Sequence, residues 1–317
     1  MLARVAERVY WLGRYMERSE NTARLVNVNS NLLLDLPRGA KVGWRGLIDI
    51  IGCNEAFDEK CQNSDERNVM RFLLADNNNP VSILSALRMA RENTRTTREI
   101  LPAEAWEQIN DLYLYAKENL PKGTARGQRY VLLQRIIRLS QQLTGLLGGT
   151  MCHGDAYNFI LLGRYLERAD MTTRIVDVGS DNSLQGLSGS DLTVDKLELY
   201  ADLLWMSVLT SLSAYQMYRQ NAHGRVKGET VVSFLLQDSS FPRSVAACLN
   251  KVETCLHRLP RSDQGLRVLA SAKRRINDID IDQLFHRSLH EFIDNLQLDI
   301  AAIHDQIAQT WFLPNSR

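Results

Sequence analysis

The stretch GRYMERSENTARLV at residues 13–26 returns as GRYLERADMTTRIV at residues 163–176, aligned without a gap at an offset of 150. Gly, Arg, Tyr, Glu, Arg, Thr, Arg and Val repeat identically, and Met16/Leu166, Glu20/Asp170 and Leu25/Ile175 differ only conservatively. Downstream, FLLADNNNPVSI at 72–83 matches FLLQDSSFPRSV at 234–245 at an offset of 162, and Trp44 matches Trp205 at 161. The order is the same in both halves, so extra residues in the second copy account for the shift. GSDNSLQGLSGSD (179–191), rich in Gly, Ser and Asp, reads as the inserted loop. An internal duplication with a unit of about 160 residues leaves few architectures open. It predicts two helical repeats, 1–152 and 153–317, inside one domain spanning 1–317 and related by a pseudo-two-fold axis.

The breakers decide what each copy is made of. The seven prolines, at 37, 80, 102, 121, 242, 260 and 314, fall at the edges of periodic segments and never inside one. Between them apolar residues recur at three and four, as in Leu132, Leu133, Ile136, Ile137, Leu139, Leu143, Leu146 and Leu147. Alternating strand patterns are scarce, so the fold class is all-α, a helical bundle. Helices are predicted near 2–34, 45–57, 65–75, 80–100, 103–119, 125–149, 155–178, 192–222, 226–237, 242–258, 263–276 and 282–312. In NNNPVSILSAL, Asn79 reads as the cap and Pro80 as the first helical residue.

Composition excludes several function classes. With 44% hydrophobic and 24% charged residues over 317 positions, the chain is neither disordered nor fibrous. A formal net charge of +1 gives no global attraction to nucleic acid or an anionic membrane, so any anion site must be local. Charges interrupt every apolar stretch of MLARVAERVYWLGR, and nowhere do 18 apolar residues run together. That pattern predicts a cytoplasmic protein without signal peptide or membrane span. The five cysteines form no dense framework and fit reduced thiols, with Cys248 and Cys255 read as buried small side chains and Cys53 and Cys61 as structural or exposed ones.

At about 100° per residue, Arg14, Glu17, Arg18, Asn21 and Arg24 fall within an arc of about 120°, opposite Leu12, Tyr15, Met16, Ser19, Ala23 and Val26. Arg164, Glu167, Arg168 and Arg174 hold the same places in the second copy, with Met171 where Asn21 stands. Three arrangements fit. Intrahelical pairs on a solvated face would add about 0.2–0.5 kcal/mol each. Pairing between the stripes, Glu17 with Arg164 or Arg168 and Glu167 with Arg14 or Arg18, would bury bidentate ion pairs, and Gly13 and Gly163 would let the backbones approach. Finally, surplus arginines could converge on a carboxylate or phosphate.

A third run, LRMARENTRTTRE (87–99), spaces Arg88, Arg91, Arg95 and Arg98 at three and four with Glu92 and Glu99 among them. Its counterpart CLNKVETCLHRL (248–259) keeps only Lys251, Glu253 and Arg258. The reading is a single partner- or anion-binding face built on the first half, formed by Arg88, Arg91, Glu92, Arg95 and Arg98. Without interleaved aromatics or a basic balance, those arginines do not make a nucleic-acid site.

Two clusters carry a weaker chemical signal. MCHGD (151–155) sets Cys152, His153 and Asp155 ahead of the second motif helix; it reads as a helix junction with Gly154 as breaker and Asp155 as N-cap. His286, His290 and Asp294 step by four along one face, and with no second ligand cluster they read as a solvated histidine face, not a metal site. No GxxxxGK[ST], GxGxxG, HExxH or GxSxG motif occurs, so no cofactor is expected on this chain.

The combination of YWLGRYMERSENTARL, NNNPVSI, ARENTRTTRE, LLGRYLERAD and FPRSV resembles the bacterial alpha-E proteins, over nearly the whole chain from Met1 to about Phe312. That family is named for its all-helical make-up and its Glu-Arg motif, which falls on Glu17, Arg18, Glu167 and Arg168. The resemblance implies gene neighbourhood or fusion with a circularly permuted ATP-grasp ligase of the amidoligase type, often with a transglutaminase-like peptidase. It implies an accessory helical subunit in a system that makes or modifies peptide-like amide bonds, with ATP and Mg held by the ligase and an acidic peptide or other anion as a further partner. The alternative is an enzyme that uses Glu17 or Glu167 among arginines. Arginine neighbours depress a glutamate pKa, which suits positioning better than general-acid work.

Overall fold

Two 33-residue helices, α1 (Ala3–Asp35) and α8 (Asp155–Leu187), cross at their glycines and form the axis of the molecule. The computed structural model describes residues 1–35, 43–122, 126–187, 194–222, 224–285 and 288–313. Between the two long helices lie α2 (Arg45–Ile51), α3 (Asn54–Asp58), α4 (Glu66–Met70), α5 (Ile83–Arg95), α6 (Ala103–Asn119) and α7 (Arg126–Thr150). After them come α9 (Val194–Ser211), α10 (Tyr215–Asn221), α11 (Gly228–Gln237), α12 (Val245–His257), α13 (Asp263–Asn277), α14 (Ile281–Phe285) and α15 (Leu289–Ile307). The fold is all-α, with no strand among the described residues, and π-helical turns close Arg71–Ala75 and Ala308–Phe312. No helix among those residues is long and apolar enough to cross a membrane.

The crossing is reciprocal. A Cβ on Gly13 would stand well under 3.0 Å from the carbonyl oxygen of Ile160, and one on Gly163 equally close to that of Tyr10. Tyr10 and Ile160 are themselves 150 residues apart, so the same contact is made twice, backbone against backbone. Around this pair, α5 and α7 pack on α1, α12 and α15 pack on α8, α9 touches both long helices, and α2 packs on α8.

The local motifs repeat as well. Helices α5 and α12 are both 13 residues long and start 162 residues apart. Each is capped by a serine, Ser82 or Ser244, whose Oγ accepts the N–H of Ser85 at 3.1 Å or Ala247 at 3.0 Å. Each serine donates in turn to the carbonyl of Asp76 or Asp238. The expected Asn79 cap is therefore corrected. Asn79 holds the preceding turn instead, donating to Phe72 O at 2.9 Å and accepting from Val81 N–H at 3.1 Å, and Pro80 lies ahead of the helix. A second pair lies at the offset of 161: Gly52 and Ser213 both turn left-handed, at φ 70° and 53°, where α2 and α9 end.

Five expected spans differ. The helix read over 282–312 is interrupted, with α14 ending at Phe285 and α15 beginning only at Leu289. The helix read over 45–57 breaks at Gly52, and that over 192–222 breaks at Ser213. The helix read over 80–100 ends at Arg95 and resumes as a 3-10 turn, Arg98–Ile100. The inserted loop begins later than residue 179, because α8 continues to Leu187 through polar residues and Gly179. A Cβ on Gly179 would lie 2.5 Å from a Val208 methyl, so close packing of α9 on α8 holds a glycine that by propensity would end a helix.

Candidate functional site

The polar stripe of α1 faces the interior. Glu17, Glu20 and Asn21 are each buried, as are Leu12, Met16 and Val26 on the opposite arc, so the helix is enclosed on both sides. What the stripe meets is the stripe of α8. Arg14 Nε donates to Glu167 Oε2 at 2.7 Å, and Arg18 donates from Nε and Nη2 to the two Glu167 oxygens at 2.6 and 3.0 Å. In the other direction Arg164 Nε donates to Glu17 Oε2 at 3.1 Å, and Arg168 forks onto both Glu17 oxygens at 2.7 and 2.8 Å. These are charge-assisted, partly bidentate bonds between helices, not i,i+4 pairs on a solvated surface. One turn on, each helix adds a local pair, Arg24 to Glu20 at 2.8 Å and Arg174 to Asp170 at 2.9 Å. Arg24 also donates to Ser213 Oγ at 2.7 Å, at the turn that closes α9.

One member of the network escaped the sequence reading. Arg243, between α11 and α12, is buried and donates from Nη1 to Glu17 at 3.1 Å and Asn21 at 2.8 Å, and from Nη2 to Glu20 at 2.8 Å. Its counterpart at the offset of 162 is Val81, so comparison of the copies gave no hint; the signal available was an arginine inside FPRSV next to a cap. Asn21 therefore accepts from Arg243 where Met171 simply packs in the core. On the Glu167 side the chain of contacts runs outward instead, from Arg14 to Tyr10 Oη at 3.3 Å and from Tyr10 Oη to His304 Nδ1 at 2.8 Å.

Electrostatics fixes the ionisation of both glutamates. Burial pushes the Glu167 carboxyl up, but Arg18 and Arg14 more than offset it and hold it at about 2. Glu17 behaves the same way against Arg168, Arg243 and Arg164, and lies well below the usual carboxylate range. A folded-state pKa below the unfolded value contributes stability that is present above the unfolded value and is lost as pH falls toward the folded one. Chemical unfolding at successive pH values should therefore show stability falling from about pH 4.5 toward about pH 2. Glu167→Gln should flatten that slope; an unchanged slope would mean that Glu167 does not titrate with the fold.

The third arginine run divides between two environments. Arg88, Arg95 and Arg98 are exposed, whereas Arg91 and Glu92 are half-buried. Arg91 donates to Asn110 at 2.8 Å and lies over Trp106 and Tyr113, while Arg98 stacks 3.7 Å from the Trp106 ring centre. Arg95 pairs with Glu92 at 2.6 Å on the surface. Part of the run thus fastens α5 to α6, and the rest faces outward.

The remaining sequence signals stay separate from this network. Cys152 and His153 are exposed, and His153 stacks on Tyr157 and bonds to the Gly148 carbonyl at 3.0 Å. Asp155 is the first residue of α8 rather than its cap. Burial pushes Cys248 up to about 12 and Cys255 to about 11, so both remain neutral thiols. His290 bonds through Nδ1 to Asp177 at 2.8 Å and lies 3.6 Å from Asp294 through Nε2; these three could share a cation, though two are exposed, and His286 lies outside the described residues.

Comparison with known proteins places this geometry in context. The model of the Alpha-E family, described as "a predicted alpha-helical domain with a conserved ER motif", matches residues 1–312. Uncharacterized proteins of Mycobacterium bovis and of Mycobacterium tuberculosis are each 19% identical to it over 97% of this chain. The chain spans only 36% of the length of those relatives. No solved structure matches it.

Proposed function

The chain belongs to the Alpha-E family, and we propose that it is a non-catalytic helical subunit partnering an ATP-grasp amidoligase that makes or modifies peptide-like amide bonds. In this reading residues 1–152 and 153–317 are two duplicated repeats about a pseudo-two-fold axis, and ATP and Mg belong to the ligase. The class of partner is supplied by the family resemblance, as is the transglutaminase-like peptidase of the same system. The observation that carries the accessory role is the state of the motif glutamates. Both Glu17 oxygens accept from arginine, both Glu167 oxygens do too, and both groups are buried and ionised. A carboxylate so held has no proton to give, which argues against the enzyme alternative in its general-acid form. The motif is an internal clamp, and the arginines at the outward edge of α5 and in the turn after it, Arg88, Arg95 and Arg98, are exposed for recognition.

The partner interface is therefore assigned to Arg88, Arg95 and Arg98, with Arg91 and Glu92 supporting them. Replacing Arg88 and Arg95 by Ala should lower thermal stability only slightly, since both side chains are exposed and the Arg95–Glu92 pair is a weak surface one. Binding of the proposed ATP-grasp partner should weaken by about tenfold or more per lost charge-assisted contact, and wild-type binding should weaken with added salt. Calorimetry on the wild type and the double variant reads both. Unaltered affinity in the double variant, or substrate turnover by the purified chain alone, would overturn the assignment.

A further inference from the structure

Beside the crossing of α1 and α8, under α7, lies a partly open cavity of about 40 Å³ that the ion-pair network does not fill. At roughly 10–15 Å³ per water-sized centre, it has room for a group the size of about three or four waters. Ser140 of α7 lines it, is buried, and has no hydrogen-bond partner for its hydroxyl among the described residues. Such an orphaned hydroxyl costs about 1–3 kcal/mol unless something in the cavity satisfies it.

Arg164 lines the same cavity and gives only its Nε to Glu17, so its two Nη groups have no protein partner among the described residues. The surrounding charge has a definite sign. Arg14, Arg18, Arg24, Arg164, Arg168 and Arg243 are paired with Glu17, Glu20 and Glu167, six guanidiniums against three carboxylates. Glu17 and Glu20 also line the cavity. Their charge is already answered, because Glu17 is bonded by three arginines and Glu20 by two. Tyr157 and Thr144 also line it, and the rest of the wall is aliphatic, chiefly Leu12, Met16, Leu143, Leu147 and Ile160.

We infer that this cavity binds the carboxylate of a short aliphatic acid, forked on the free Nη groups of Arg164 and accepting from the Ser140 hydroxyl, with one or two carbons against the leucine wall. A phosphate would bring a second negative charge, and Arg164 is the one arginine among the lining residues, beside Glu17 and Glu20. The carboxylate can come from a free acid or from the C-terminus of a peptide whose chain leaves through the open side. Neither source depends on the ligase reading, since the cavity and the charges around it are the same with or without a ligase partner.

The test is methyl NMR on the purified chain with Leu143, Leu147 and Ile160 observed. Propionate is titrated against propionamide, and acetyl-Gly-Ala against its C-terminal amide. Saturable shifts with propionate, with the peptide acid, or with both support the site and identify the source, provided the neutral amides give none. Ser140→Ala, which removes a hydroxyl that bonds to nothing described in the protein, should weaken binding by about tenfold, and Ser140→Val should abolish it by filling the space. No saturable shift with either acid, equal shifts with the amides, or full affinity in Ser140→Ala would each overturn the proposal.

Discussion

Gly13→Ala and Gly163→Ala should each destabilise the protein by about 3 kcal/mol or more, at the upper end of what overpacking does. The sign is what makes this informative. A glycine inside a helix is worse than alanine by about 0.8–1.0 kcal/mol, so helix propensity alone predicts that both substitutions stabilise. At the crossing, the added Cβ would meet a carbonyl oxygen of the partner helix, from Ile160 in one case and Tyr10 in the other. A backbone carbonyl has no rotamer to retreat into, so the helices themselves must separate, and the ion pairs that need their spacing lengthen with them. Gly145 in α7 supplies the control. A Cβ there meets nothing within 4 Å, and Gly145→Ala should stabilise by about 1 kcal/mol. Unfolding of the three variants by denaturant compares them directly. A gain in stability for Gly13→Ala or Gly163→Ala would show that the long helices do not approach as closely as the structure has them.

That crossing was legible because it is written twice. The offset of 150 picked out Gly13/Gly163, Glu17/Glu167 and the flanking arginines, and the structure joins those residues to one another. Repetition is blind, however, to whatever one copy alone possesses. Arg243 binds Glu17, Glu20 and Asn21 from a position that is Val81 in the first copy, and only the three-dimensional path between α11 and α12 brings it to α1. Spacing along the 87–99 run placed its arginines on neighbouring faces but could not show that Trp106 and Tyr113 of α6 would take two of them. Local rules failed in a different way at Asn79 and Gly179. At the first, a turn pinned by Asp76 moved the cap to Ser82; at the second, packing against Val208 outweighed the preference of Gly and Ser for ending a helix. The orphaned hydroxyl of Ser140 had no sequence signature at all, since it arises from the absence of a neighbour.

The largest electrostatic effect should come from Glu17→Ala, with a loss of about 3–5 kcal/mol, the range for removing one partner of a buried ion pair. Three guanidiniums converge on this carboxylate, Arg168 at 2.7 Å, Arg243 at 3.1 Å and Arg164 at 3.1 Å. The side chains of Arg168 and Arg243 are only 6% and 9% exposed, so water cannot take over the role of the lost charge. Glu167→Ala leaves two arginines, Arg14 and Arg18, whose side chains are 12% and 18% exposed and partly able to recruit solvent. Its cost should therefore be smaller than that of Glu17→Ala, although the two glutamates hold the same place in the repeat. Removing the charge and its partner together tests whether the loss comes from stranded arginine. Glu17→Leu combined with Arg168→Met should recover part of the loss of Glu17→Leu alone, because apolar replacement of a buried pair is often neutral or stabilising. Thermal and denaturant unfolding of the single and double variants form a double-mutant cycle. Should Glu17→Ala not accumulate in soluble form, Glu17→Gln keeps the shape and removes only the charge, and it should still fall below Glu167→Gln in stability. Equal stabilities for wild type, Glu17→Ala and Glu167→Ala would mean that the two stripes are solvated faces, and the internal clamp would have to be abandoned.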